Sequence, residues 1–131
     1  MTESSEIHYR NTDLDVVSPG SLEPLIEYFE KYGIRTFNPI VDENGSWYTV
    51  FEADDPHDEP DSNISKMLNA IESMSVEVRR CWNGCTKRDF NPGYDSGISP
   101  RSYSHQISNE TLRRIAECGA TFTITIYPIG D

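Results

Sequence analysis

The chain lacks long hydrophobic runs, and it has few cysteines and few basic residues. No apolar stretch approaches the roughly 20 residues that a helix needs to cross a bilayer, which argues against a membrane-spanning protein. The chain has 3 cysteines, and the spacing of Cys81 and Cys85 matches neither a redox Cys-x-x-Cys motif nor a zinc knuckle. The polar, acidic first residues are the reverse of a secretion signal. We therefore expect a cytoplasmic protein whose thiols are reduced.

The sequence also lacks the short motifs that mark common enzyme active sites. It contains no phosphate-binding or dinucleotide-binding glycine motif, no zinc-protease helix motif and no serine-hydrolase nucleophile motif. His8, His57 and His105 are far apart along the chain. Cys118 ends a predicted helix, and the helix dipole disfavours a thiolate at that position. We therefore assign no catalytic residue, no metal ligand and no cofactor, and we expect a protein that is not an enzyme.

Positive charge is scarce, and negative charge is concentrated in one part of the chain. The sequence has 11 Lys and Arg against 22 Asp and Glu, a formal net charge of −11. Residues 42–61 contain eight acids and no Lys or Arg, whereas residues 76–114 are net positive. Such an acidic chain argues against nucleic acid and anionic membranes as partners, because both are polyanions. It favours a basic protein partner or a cation, although solubility alone would also account for the charge.

Hydrophobic periodicity predicts one α+β domain that spans residues 1–131. Alternating apolar residues predict strands, and apolar residues at helical spacing predict amphipathic helices. The predicted order, β-α-β-β-α-(α)-β-α-β, begins like a ferredoxin-like sandwich. We therefore expect helices packed on one face of an antiparallel or mixed sheet of four or five strands. The strands are predicted at 14–17, 34–41, 47–53, 87–94 and 121–127, and the helices with their capping residues at 18–33, 61–74, 75–84 and 108–119.

The strongest local predictions concern a hairpin and the last quarter of the chain. Asn44-Gly45 between two apolar alternations predicts a tight hairpin turn, and Pro39 belongs at a sheet edge or a bulge because it has no backbone donor. Ser108 is a favourable helix N-cap, and Gly119 can adopt the left-handed conformation that ends a helix. The predicted buried residues of this last unit are Leu112, Ile115 and Ala116 on the helix and Phe122, Ile124 and Ile126 on the strand.

The acidic, proline-containing loop at residues 52–61 is the first candidate site. Six of its ten residues are acids, so it offers the oxygen ligands that hard cations prefer. It nevertheless lacks the spacing of a calcium-binding loop, and no second histidine accompanies His57. The alternatives are a solvated loop or an acidic surface for docking a protein partner. The candidate binding residues of this loop are Asp54, Asp55, Asp58 and Glu59.

The segment at residues 87–105 is the second candidate site. It combines cationic, aromatic, carboxylate and imidazole side chains next to glycines, a composition that is typical of binding loops. A carboxylate, a phenol and an imidazole are also the groups of general acid–base chemistry. The opposing interpretation is a twisted strand followed by a turn, with the aromatic residues in the core. The candidate residues here are Arg88, Tyr94, Asp95 and His105, with Arg101 nearby.

The residues Leu112–Tyr127 resemble the end of small uncharacterised bacterial proteins that form a domain of unknown function. These proteins end in a helix, a Gly-Ala link and a strand that closes on an aromatic residue, and Phe90–Tyr94 is similar to their penultimate strand. The likeness covers about the last forty residues. Some of these families look like immunity proteins of bacterial toxin systems. The resemblance implies a bacterial toxin-neutralising protein, and it assigns no functional residue of this chain.

These observations lead to one hypothesis and two alternatives. The leading hypothesis is a non-enzymatic bacterial protein-binding module that acts through its acidic surface or its open sheet face on a basic partner. The first alternative is a small-molecule-binding or enzymatic domain that uses residues 87–105. The second is a weak homodimer formed by Trp47, Tyr48 and the neighbouring strand edge, as opposed to a monomer.

Overall fold

The computed structural model describes residues 6–53, 59–98 and 101–128. This part of the chain forms four helices and six strands. In chain order they are β1 (His8–Ser18), α1 (Glu23–Glu30), β2 (Ile34–Val41), β3 (Trp47–Ala53), α2 (Pro60–Glu72), α3 (Val76–Asn83), β4 (Lys87–Asp95), α4 (Asn109–Glu117), β5 (Thr121–Phe122) and β6 (Thr125–Tyr127).

The strands form one mixed sheet in the order β2-β3-β1-β4-β5, and β6 also pairs with β4. β1 lies antiparallel to β3 and β4, and β2 lies antiparallel to β3. The first four strands therefore have the arrangement of a ferredoxin-like sandwich. After β4 the chain crosses over through α4, and β5 and β6 run parallel to β4 at the sheet edge. The α+β prediction is confirmed.

All four helices contribute to one hydrophobic core against a single face of the sheet. Leu14 and Val16 of β1 point into this core, as does Phe51 of β3 and Phe90 of β4. Because successive strand residues alternate between faces, the residues between them point away from the helices. The helix side chains in the core are Leu25, Phe29, Ile64, Met67, Leu68, Ala70, Ile71, Trp82 and Ile115.

The predicted helix ends are confirmed where a capping side chain decides them. Ser75 and Ser108 accept the backbone N–H of Val78 and Thr111, respectively, and so cap α3 and α4. The prediction that α1 begins at Ser18-Pro19 is wrong, because Ser18 is the last residue of β1 and pairs with Trp47. β1 is long because it is paired on both sides.

Local sequence favours Asp61 or Ser62 as the N-cap of α2, and this prediction is also wrong, because α2 begins at Pro60 with Glu59 as its N-cap. Asp61 lies inside the first turn of α2 instead of capping it. Its Oδ1 accepts the backbone N–H of Ser108 at 3.0 Å. One of the two side chains that local propensity favours as the cap of α2 therefore makes a long-range contact to the start of α4 instead.

The end of the sheet is more exposed than the sequence pattern predicts. Ile124 and Ile126 are 58% and 60% exposed, although the alternation placed them on the buried face with Phe122. On α4, Ile115 is buried, whereas Leu112 and Ala116 are exposed. The nine-residue helix α4 contacts β5, and the strand continues beyond its cover. The outermost strand therefore has a partly uncovered apolar side.

Candidate functional site

The face of the sheet opposite the helices holds a group of carboxylates on three adjacent strands. In the pairing of β1 with β4, Asp15 lies opposite Asp89 and Asp13 lies opposite Asn91. Glu52 of β3 follows Phe51, the partner of Leu14, and so lies next to Asp13 on this face. We call Asp13, Asp15, Glu52 and Asp89 the carboxylate block. Among the described residues no helix covers this face, which we call the open face.

Two members of the block have strong protein partners. Glu52 accepts a hydrogen bond from Nη2 of Arg35 at 2.8 Å and another from the amide of Asn11. Asp89 is buried, and its Oδ1 accepts from the hydroxyls of Thr121 at 2.6 Å and Thr123 at 3.0 Å. These contacts fix the outer two carboxylates in place.

Asp13 and Asp15 form no salt bridge within the part of the chain that the structure describes. Burial raises the pKa of Asp13 from its ordinary value of 3.8 to about 6, with further contributions from the charges of Asp15 and Glu52. Burial also raises the pKa of Asp15, and Asp89 adds to the effect, while Asn91 and Lys87 oppose it. Like charges opposed across strands destabilise a sheet. The open face therefore holds acids that the fold itself does not neutralise.

The raised pKa predicts that the Asp13→Asn variant is more stable than the wild type at neutral pH. Because the pKa of Asp13 is higher in the folded chain than in the unfolded chain, protonated Asp13 contributes to the unfolding free energy. This contribution is complete below about pH 4 and is lost as the pH rises through about 6. The neutral amide of Asp13→Asn does not ionise, so the variant should be more stable than the wild type by about 1 kcal/mol at neutral pH. This figure allows for the solvent exposure of the half-buried side chain. Urea unfolding at several pH values measures the difference.

The difference in unfolding free energy between Asp13→Asn and the wild type should grow between about pH 4 and pH 7. The matched control is Glu27→Gln on the exposed side of α1, away from the first turn of the helix, where no change is expected. If the unfolding free energies of Asp13→Asn and the wild type changed in parallel across this pH range, the result would contradict the buried environment assigned to Asp13.

An apolar groove adjoins the carboxylate block on the open face. Its volume is about 360 Å³. Asp15 and Lys87 lie on one side of the groove, and the apolar side chains of Phe37, Ile40 and Tyr48 line the other. Val17 and Val50 also line it and are half-buried, whereas Phe37, Ile40 and Tyr48 are 39%, 60% and 42% exposed. The block and the groove together form a continuous surface of mixed chemistry.

The sequence-predicted acidic loop is mostly outside the described residues. Asp54, Asp55 and Asp58 are not described, and Glu59 is exposed at the start of α2. The structure therefore does not test that surface, which stays a prediction. In sequence the loop directly follows β3, the strand that carries Glu52.

The four candidate residues of the 87–105 segment do not come together. Tyr94 and His105 are in contact, with the Tyr94 hydroxyl 3.3 Å from Nδ1 of His105. Asp95 instead pairs with Arg10 at 3.6 Å and alternates to the open face. Arg88 lies near the other end of β4, on the side of the helices. The strand β4 thus places Arg88, Tyr94 and Asp95 on two faces of the sheet and at both ends of the strand.

The Tyr94–His105 contact belongs to a cluster of aromatic rings. Tyr9 and Tyr103 pack against the pair, with ring centroids 5.0–5.8 Å apart. Burial and the neighbouring Tyr103 raise the pKa of Tyr94, so its phenol stays protonated at neutral pH. Asn63 donates to the Tyr9 hydroxyl at 3.0 Å and ties the cluster to α2. The contacts account for the cluster as packing between β1, β4 and the segment before α4.

Arg88 connects the C-terminal ends of two helices. Its Nη1 donates to the Trp82 carbonyl of α3 at 3.0 Å, and its guanidinium lies 5.7 Å from the centre of the Trp82 ring. The Trp82 indole donates to the Cys118 carbonyl at 2.9 Å, immediately after α4. Cations at helix C-termini are favourable because they face the negative end of the helix dipole. We call Arg88, Trp82, Cys118 and Gly119 the helix junction.

The cysteines offer no activated nucleophile. Burial raises the pKa of all three thiols, and the pKa of Cys85 reaches about 11. Each thiol is therefore protonated at neutral pH, and a protonated thiol is a poor nucleophile.

Sequence reasoning missed the carboxylate block and the groove. The available signal was the alternation of Asp13 and Asp15 with the buried residues Leu14 and Val16, which predicts a strand with an acidic outer face. That signal does not say which strands lie on either side. The neighbours Glu52 and Asp89 become visible only with the strand register.

The described residues contain no group of three or more His, Cys, Asp or Glu arranged to hold a metal ion. No described helix is long and apolar enough to cross a membrane. Comparison of the chain with protein-family models, curated proteins and solved structures gave no match.

Proposed function

We propose that this protein is a non-enzymatic bacterial cytoplasmic binding module whose open face binds a basic segment of a partner protein. The observation that carries the proposal is the pair Asp13 and Asp15, which lie centrally on a sheet face that no described helix covers and form no salt bridge with the described residues. Lysine or arginine side chains of a partner would neutralise these carboxylates. The net charge of −11 would also accelerate the approach of a basic protein.

The electrostatics of the open face support binding over a purely structural role. The raised pKa values of Asp13 and Asp15 show that their charged forms are disfavoured in the folded chain. Neutral residues at these positions would fold at least as well, and functional sites commonly hold groups that reduce stability. A partner's cations would remove the penalty when the complex forms. The same groups therefore weaken the free protein and strengthen the complex.

The acidic loop extends the proposed surface in sequence. Asp54, Asp55, Asp58 and Glu59 follow the strand that holds Glu52, and we include them in the surface on sequence grounds. The resemblance to immunity-type proteins gives the proposal its most specific form, in which the basic partner is a toxin that this protein neutralises.

The proposal predicts that removing the two central charges weakens binding to a basic peptide. The probe is a fluorescein-labelled peptide of alternating lysine and serine, and fluorescence anisotropy measures its dissociation constant at low and physiological salt. The Asp13→Asn/Asp15→Asn double variant should bind about tenfold more weakly, since two close charge pairs are lost. The affinity of the wild type should fall steeply as salt is added.

The matched control removes two charges from the opposite side of the molecule. Glu23 and Glu27 are exposed on α1, so Glu23→Gln/Glu27→Gln has the same net charge as the open-face double variant. This control should bind like the wild type. Equal weakening of both variants would mean that the peptide responds to net charge alone, and the proposed binding surface would be wrong.

A further inference from the structure

We infer that the groove beside the carboxylate block receives one large apolar side chain of the basic segment, so that the partner is recognised by an apolar anchor flanked by lysine or arginine. This inference rests on the proposed function and names the chemistry of the partner more closely. It is carried by the backbone of β2, by the side chains that line the groove and by the charge next to it.

A β-bulge in the edge strand builds the apolar wall of the groove. In the pairing of β2 with β3, Phe37 lies opposite Val50 and Ile40 lies opposite Tyr48, so two residues of β2 oppose the single residue Thr49. In a regular strand, residues three apart point to opposite faces. The extra residue returns Ile40 to the same face as Phe37. Both side chains consequently project onto the open face beside Tyr48.

The backbone conformation of the bulge has a cost. Asn38 has a φ of 42°, in the left-handed region that costs L-residues free energy, although asparagine adopts it more readily than other non-glycine residues. Pro39 confines its own φ and donates no hydrogen bond, so it suits an edge strand. The Thr49 hydroxyl donates to the Phe37 carbonyl at 3.2 Å and helps to hold the bulge. The chain thus maintains an irregular strand that exposes two large apolar side chains.

The lining of the groove fits an amphipathic occupant. Exposed aromatic and aliphatic side chains form one wall, and interface centres are enriched in such residues. Asp15 lies on the opposite side and continues into the carboxylate block. A volume of about 360 Å³ has room for one large side chain. An anchor in the groove would therefore place its neighbouring residues within reach of Asp15 and Asp13.

The charges around the groove favour a basic occupant over a second copy of this chain. Two open faces brought together would oppose two carboxylate blocks, and like-charge juxtaposition disfavours a complex. The cations on this face are largely engaged, since Arg35 pairs with Glu52 and Arg10 pairs with Asp95. Lys87 lies beside Asp15 and favours the charged form of its carboxyl, but one lysine does not balance the charges of the carboxylate block. Charge complementarity thus selects a basic segment.

The test compares two peptides that differ at one residue. Both are the alternating lysine–serine peptide with its central lysine replaced, by serine in one peptide and by phenylalanine in the other, so that the anchor and the flanking lysines point to the same side of an extended chain. Isothermal titration calorimetry should give about tenfold tighter binding to wild type for the phenylalanine peptide, the scale expected for one buried apolar side chain. In the Phe37→Ser/Ile40→Ser variant the two peptides should bind equally. The exposed residue Val76 on α3 provides the control, and Val76→Ser should keep the full preference.

The outcomes separate this inference from the proposed function. Equal, salt-dependent affinity of wild type for both peptides would overturn the apolar anchor and leave the acidic binding surface intact. Failure of both peptides to bind would overturn both. A phenylalanine preference that persists in the Phe37→Ser/Ile40→Ser variant would place the anchor elsewhere. Sedimentation of the free protein gives the remaining outcome, because a dimer dispersed by these two substitutions would show that a second copy occupies the groove.

Discussion

The Trp82→Ala variant is expected to lose about 3–5 kcal/mol of unfolding free energy, enough to leave much of the chain unfolded. Trp82 is completely buried, and it is among the largest side chains in the core. Its removal leaves a cavity between α3 and the sheet. The substitution also removes the indole donor of the Cys118 carbonyl and the ring beside Arg88. Urea denaturation followed by far-ultraviolet circular dichroism measures the loss.

Trp82→Phe separates the hydrogen bond from the cavity. The phenyl ring retains much of the apolar volume but has no donor for the Cys118 carbonyl, so this variant should lose only about 1–2 kcal/mol. An alanine variant no less stable than the phenylalanine variant would contradict the assignment of Trp82 as a core residue that joins α3 and α4.

The second large effect is expected for Gly119→Ala, at about 2–3 kcal/mol of destabilisation. Gly119 has a φ of +77°, which costs an L-residue about 1 kcal/mol or more. A Cβ at this position would also lie 3.2 Å from Nη2 of Arg88. Arg88 has little freedom to retreat because its guanidinium donates to the Trp82 carbonyl. The substitution should therefore disturb the helix junction as well as strain the backbone.

Gly33→Ala provides a matched control for the cost of placing an L-residue in the left-handed backbone conformation. Gly33 has a φ of +74° after α1, and a Cβ there would meet nothing within 4 Å. This variant should lose only about 1 kcal/mol, the cost of the left-handed conformation alone. Equal losses at the two glycines, measured by urea denaturation, would show that Arg88 does not constrain Gly119.

Local sequence patterns predicted the elements whose signals are also local. The order of helices and strands, the serine caps of α3 and α4 and the hairpin before β3 follow from residues close in sequence. Gly45 takes a φ of +87° in the hairpin, and its backbone N–H bonds to the Asp42 carbonyl at 3.0 Å. These features depend on backbone geometry and capping, which only a few neighbouring residues decide.

The wrong predictions concern residues whose environment is decided by distant parts of the chain. Ser18 has the local character of a helix cap, but pairing with β3 holds it in a strand. Ile126 alternates correctly, but no described helix extends far enough to cover it. Local sequence shows on which face of a strand a side chain lies. It does not show which other elements cover that face of the sheet.

In the candidate site, too, local features were predictable from the sequence, whereas contacts between strands were not. Pro39 was predicted at an edge or a bulge, and the structure places it at both. That the bulge would turn Phe37 and Ile40 towards Tyr48 required the register of β2 against β3. The sequence left open whether the side chains of the 87–105 segment converge, and in the structure strand alternation and length separate Arg88 and Asp95 from Tyr94. Register thus decides where chemically useful residues meet.

The most direct test of the central claim is to map the bound peptide on the protein by nuclear magnetic resonance. The ¹⁵N-labelled wild type is titrated with the phenylalanine-containing lysine–serine peptide, and amide shifts are followed residue by residue. Binding on the open face predicts the largest shifts at Asp13, Asp15, Phe37 and Ile40, with little change in α1 and α3. The largest shifts on those helices, or at the Tyr94–His105 contact, would contradict the open face as the binding surface.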